Sequence, residues 1–122
     1  MQPHNIIIAL SDPSHAEEIA SQLHAHFRSV SVALDCDQLR RVLRRQPADL
    51  IVLDLEVATL HELRMLCVDF PSSHIICTHR LADEFLWTSA LNAGAVDFCD
   101  CVTVKTILHA AENMPLASLA AA

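Results

Sequence analysis

Only one of the 122 residues is glycine, and tyrosine is missing altogether. With a single glycine no loop can cradle phosphate through closely approaching backbone amides, so P-loops and dinucleotide fingerprints are excluded. Basic residues are few as well: eight lysines and arginines face fifteen aspartates and glutamates, for a formal net charge of -7. Nucleic-acid binding normally rests on a basic patch, and this balance speaks against it. No apolar run approaches the roughly 18 residues of a membrane span, and no secretory h-region opens the chain. A cytoplasmic chain without membrane contact is therefore expected. The five cysteines form an odd set in apolar or strand-like surroundings, which reads as reduced thiols rather than a disulfide framework.

What is present suits one folded domain. Hydrophobic residues make up 52% and charged residues 19%, a balance that favours a packed core over disorder. The most informative stretch is Asp49-Leu50-Ile51-Val52-Leu53-Asp54-Leu55. A short unbroken apolar run rich in branched side chains reads as a central parallel strand, covered on both faces. Asp54 then stands at the carboxyl end of that strand, the edge at which open α/β sheets place their ligands.

Around it the chain alternates. Asn5 to Leu10 reads as a first strand, and Ser11 or Asp12 as the cap of a helix that begins near Pro13 and runs to about Phe27. That helix has Ile19, Leu23, Ala25 and Phe27 as its apolar face. Val30 to Leu34 reads as a strand nearer the sheet edge, followed by a helix capped by Asp35 or Asp37. The wet side of this helix carries Arg40, Arg41, Arg44 and Arg45, read as a solvated face with partner docking as the alternative. Thr59 opens a helix through Phe70, and His74 to Thr78 forms a fourth strand. Ala82 to Ala93 is a fourth helix stopped by Gly94 in a left-handed conformation. Val96 to Cys101 is a fifth strand, and Thr103 starts a last helix to about Asn113. The prediction is a flavodoxin-like, doubly wound α/β fold. Its five-stranded parallel sheet has order 2-1-3-4-5, with helices on both faces. Residues 1–113 make the domain and 114–122 a linker or disordered tail.

The predicted topology brings together the ends of four strands: Ser11-Asp12, Asp54, Thr78 and Asp100-Cys101. With IVLDL at Asp54, IICT at Thr78, and GAVDF from Gly94 to Phe98, the chain resembles the receiver domain of bacterial response regulators. That resemblance implies two-component signal transduction, in which Asp54 is the phosphoacceptor for a histidine kinase. Thr78 and, at the lysine position, Cys101 stand where phosphoryl contacts are made, and Phe98 takes the place of the switch aromatic. A magnesium ion would be held by Asp12, Asp54 and Glu56. The chain also departs from the family. Aligned on Pro13, the acidic pair falls on Leu10 and Ser11, whereas a one-residue slip places Ser11 and Asp12 there. The lysine is replaced by Cys101, and Lys105 lies four residues on. The loop after Asp54 lacks a Pro-Gly turn. Acceptance of a phosphoryl group needs its charge neutralised, so these losses point to an atypical receiver: a regulatory protein–protein module, not an enzyme, without the usual aspartyl phosphate. The alternative is a phosphorelay receiver working through Asp54.

Cys77, His79, Cys99 and Cys101 contain zinc-ligand types, but adjacent strands split them between opposite faces, and buried thiols are the expectation. A Cys99-Cys101 bridge is disfavoured by geometry. The remaining histidines are scattered and show no base–nucleophile arrangement. An Arg80-Glu56 bridge across the crevice is a further expectation. The family resemblance places output and dimer contacts on the fourth helix, fifth strand and fifth helix, with Trp87, Phe98, Lys105 and His109 as interface candidates. Trp87 itself reads either as core, the commoner fate, or as an interface anchor. Expected partners are a histidine kinase or other signalling protein, a fused output domain, and a second copy of the chain.

Overall fold

Side-chain caps and one glycine punctuate this chain into helices. The computed structural model describes residues 5–79, 83–99 and 102–112. In it β1 (Asn5–Ala9), α1 (Pro13–Leu23), β2 (Ser29–Val32), α2 (Cys36–Arg45), β3 (Leu50–Asp54), α3 (Leu60–Asp69), β4 (His74–Thr78), α4 (Glu84–Ala93), β5 (Asp97–Cys99) and α5 (Val104–Glu112) follow in strict alternation. Asp12 caps α1, Asp35 caps α2 and Asp83 caps α4, each carboxylate accepting from first-turn amides that have no helical partner. At α3 the cap is reciprocal: Glu62 N–H donates to Thr59 Oγ1 (3.1 Å), and Thr59 N–H donates to Glu62 Oε1 (2.9 Å).

The five strands pair in parallel in the order β2-β1-β3-β4-β5, as the alternation predicts. β3 is innermost in character as well as position: Leu50, Ile51, Val52 and Leu53 are all fully buried. Successive side chains of a strand point to opposite faces, so the sheet has two cores. On one face Ile7, Ile51, Leu53 and Ile75 meet Leu39 and Leu43 of α2, Leu63 and Leu66 of α3, and Ala90 of α4. On the other, Ile6, Ile8, Leu50, Val52 and Ile76 meet Ile19 and Leu23 of α1 and Ile107 of α5.

Several element boundaries differ from the sequence expectation. Helix α1 stops at Leu23, whose carbonyl accepts from both His26 and Phe27 N–H, so the chain turns at that point. Phe27 is buried because this turn folds it under the sheet, while Ala25 is exposed, so the two do not share a helical face. Strand β2 ends at Val32, with Leu34 half-exposed beyond it. Helix α4 begins at Glu84, not Ala82. The expected reach of the fifth strand to Cys101, of the last helix to Asn113, and of the tail over 114–122 falls outside the described residues. Of the four arginines assigned to a solvated face, Arg40 instead donates to Asp69 (2.9 Å) and lies 5.9 Å from the centre of the Phe70 ring, tying α2 to α3.

Gly94 sits where α4 meets β5 with φ at +121°, a conformation side-chain-bearing residues rarely adopt. A Cβ there would stand 2.7 Å from Cys67 Sγ and 3.0 Å from Cys67 Cβ on α3. Two constraints therefore require glycine at one position. Gly94→Ala is expected to destabilise the domain by about 1–3 kcal/mol in denaturant titration. Adding Cys67→Ala, which removes the clash but leaves the backbone strain, should recover only part of that loss.

Candidate functional site

Strand β3 runs out of apolar residues at Asp54, and the chain reverses at once. Asp54 Oδ1 accepts from Glu56 N–H (2.8 Å), while its backbone carbonyl accepts from Val57 N–H (2.8 Å). The aspartate side chain thus closes the turn that glycine and proline would otherwise make. Leu55 N–H donates to the Thr78 carbonyl (2.9 Å), continuing the β3–β4 ladder past Asp54 and Thr78, which are register partners. Thr78 is buried.

The other carboxylate oxygen of Asp54 faces β1. Ser11 follows the buried Leu10 directly, and both its N–H (3.2 Å) and its hydroxyl (2.8 Å) donate to Asp54 Oδ2. The same hydroxyl lies 3.1 Å from Glu56 Oε2. A serine hydroxyl has one proton, so Asp54, at the shorter distance, and Glu56 compete for a single shared donor. Glu56 Oε1 in turn lies 4.0 Å from His79 Nε2, an ion pair when the imidazole is protonated.

Of the two polar residues after β1, one faces Asp54 and the other caps the helix. Ser11 meets Asp54, and Asp12 lies one place on, with Oδ1 accepting from Ser14 N–H (3.0 Å) and His15 N–H (3.4 Å) at the head of α1. Among the described residues no three His, Cys, Asp or Glu side chains are placed to share a metal ion. Magnesium prefers six hard oxygens, usually with one or two carboxylates among them. Asp54 and Glu56 meet that count by themselves, but Asp12, turned to cap α1, does not join them. The expected grouping of Asp12 with Asp54 and Glu56 is thus not assembled. His79 beside Glu56 is a neighbour the sequence reading missed; its signal was its place directly after Thr78, on the strand next to β3. Cys101, Asp100 and the expected Arg80-Glu56 bridge fall outside the described residues.

The thiols behave as buried groups. Desolvation pushes Cys77 up to about 12 and raises Cys36 and Cys67, keeping them protonated at neutral pH. Cys36, Cys67, Cys77 and Cys99 are not in disulfides. On the α4 side, Phe85 (75%), Trp87 (51%), Leu91 (41%) and Val96 (49%) are exposed, so Trp87 is a surface residue and not core. Lys105 and His109 are exposed on α5, whereas Phe98 is buried in the sheet.

The fold matches solved response-regulator structures. One from Thermotoga maritima gives a TM-score of 0.80 at 20% identity, over 92% of this chain and 96% of that one. One from Burkholderia pseudomallei, solved with a phosphorylated aspartic acid, a calcium ion and citrate, gives 0.81 at 21% identity, over 96% and 70%. NtrX from Brucella abortus, in complex with ADP, gives 0.82 at 17% identity, over 98% of this chain but 28% of that one. No protein-family model and no curated relative matches the chain. The likeness establishes a receiver-domain fold. Within it, Ser11→Ala is expected to lower stability by about 0.5–1.5 kcal/mol in denaturant titration, because two neighbouring carboxylates lose their shared donor.

Proposed function

We propose that this chain is a signalling module with the receiver fold that regulates a partner by contact, without a magnesium-dependent aspartyl phosphate and without turnover of a substrate. The observation that carries this reading is Ser11 bonded to Asp54 at the position where an acidic residue would be needed. Three protein donors already engage the Asp54 carboxylate: Ser11 N–H, the Ser11 hydroxyl and Glu56 N–H. An arriving phosphoryl group would have to displace some of them. It would also add negative charge beside Glu56, which already lies against the same Ser11 hydroxyl as Asp54. Asp54 serves here as the hub of a turn and of an inter-strand bridge.

The α4 side supports contact as the mode of action. Trp87 and Leu91 are four residues apart, on one face of α4, and both are exposed. Tryptophan is enriched among residues that dominate binding energy, and the partner we assign is a second copy of the chain or a fused effector reached through residues 114–122. Lys105 and His109 on α5 would supply the polar rim. In NtrX the matching segment is 28% of a longer chain, which supports such a fused arrangement.

A second reading keeps Asp54 as acceptor from a histidine kinase, with Thr78 contacting the phosphoryl oxygens. The register pairing of Asp54 with Thr78 favours it. Intact mass after incubation with phosphoramidate and magnesium separates the two. No adduct is expected on the parent or on Asp54→Asn; an adduct on the parent alone would establish the second reading. For the contact surface, Trp87→Ala is expected to weaken self-association or effector binding by at least about tenfold in sedimentation equilibrium or titration calorimetry.

A further inference from the structure

A groove of about 430 Å³ lies between α3 and α4, away from the crevice at Asp54, lined by Leu60, His61, Arg64, Ser89, Asn92 and Ala93. His61 and Arg64 are three residues apart on α3, and Ser89 and Asn92 are three apart on α4. Each pair therefore shares one helical face. Two facing helices thus present a guanidinium and an imidazole on one wall, and a hydroxyl and a carboxamide on the other.

Among the described residues the side chains of Arg64 and His61 have no hydrogen-bond or ion-pair partner, in contrast to Arg40, which is held by Asp69. The two carboxylates of α3 and the cap of α4 are engaged elsewhere: Glu62 accepts from Thr59 N–H (2.9 Å), Asp69 pairs with Arg40 (2.9 Å), and Asp83 accepts from Leu86 N–H (2.7 Å). A chain with net charge -7 thus keeps an unneutralised arginine in a concave place.

All four polar side chains can donate hydrogen bonds, and Arg64 can do so through two parallel N–H groups. That combination suits an oxyanion, and Arg64 disfavours a cation. The volume falls in the range of small-molecule sites, about 300–1,000 Å³, and exceeds what one oxyanion fills. Leu60 and the buried Ala93 offer apolar surface for the remainder of a ligand. We infer that the α3–α4 groove is a binding site for a small organic anion, with its phosphate or carboxylate held by Arg64, His61, Ser89 and Asn92.

The test is amide NMR of the full chain titrated separately with phenyl phosphate, benzoate, inorganic phosphate and a hexaglutamate peptide. Saturable shifts at residues 60–64 and 89–93 with phenyl phosphate or benzoate are expected. The tighter of the two identifies the anion. Arg64→Gln should weaken that binding at least about tenfold, as loss of a charge-assisted contact does, while Asp54→Asn should leave it unchanged. The assignment is overturned by an absence of saturable shifts, or by shifts centred on Ser11, Asp54 and Thr78. Binding that survives Arg64→Gln, or inorganic phosphate binding as tightly as phenyl phosphate, would also overturn it. Saturation by a hexaglutamate peptide alone would replace the small ligand with an acidic protein segment. Binding at residues 60–64 and 89–93, and its loss in Arg64→Gln, do not depend on whether Asp54 accepts a phosphoryl group.

Discussion

The two-sided burial of β3 is the constraint on which the rest of this structure depends. Because α2, α3 and α4 cover one face of the sheet and α1 and α5 the other, β3 has no wet side along Leu50 to Leu53. A polar residue is tolerable only where the strand leaves the sheet. Asp54 is that residue, and it meets the ends of β1 and β4 because those strands flank β3 in the same parallel direction. The crevice is thus a consequence of parallel pairing: polar ends accumulate at one edge, and their side chains must satisfy one another or a ligand.

At this edge they satisfy one another. A carboxylate in such a place needs donors, and it finds a backbone amide on its own turn and a serine from the neighbouring strand. Asp54 and Glu56 share the one proton of the Ser11 hydroxyl, with His79 at the outer end. The arrangement ties Asp54 both to its own turn and to the chain leaving β1 by hydrogen bonds.

Charge and contact are distributed differently on the α3–α4 side. Gly94 lets α4 end against Cys67 at a distance no other residue would permit. This close approach sets α4 beside α3 and so determines which side chains line the space between them. Further around α4, Trp87 and Leu91 face outward. One helix therefore contributes to a polar groove with one flank and to an apolar surface with another.

The alternation of apolar runs and caps was legible in the chain because it obeys local rules: branched residues in strands, Asp and Thr at helix starts, glycine at a helix stop. Sheet order followed from alternation, and Asp54, Thr78 and Glu56 could be placed at the crevice from sequence. Helix α1 misled, since Phe27 is buried by a turn that periodicity cannot distinguish from another helical turn. The choice between Ser11 and Asp12 was undecidable for the same kind of reason. Both can cap a helix or face a crevice, and only the path of the chain out of β1 commits one to each task. His79 beside Glu56, the exposure of Trp87, and the facing of His61 and Arg64 toward Ser89 and Asn92 each join elements brought together only by the folded sheet. Local composition dictates which segments are strands and helices, because burial and capping act over a few residues. Which side chains meet is decided by register and helix docking, which no short segment encodes alone.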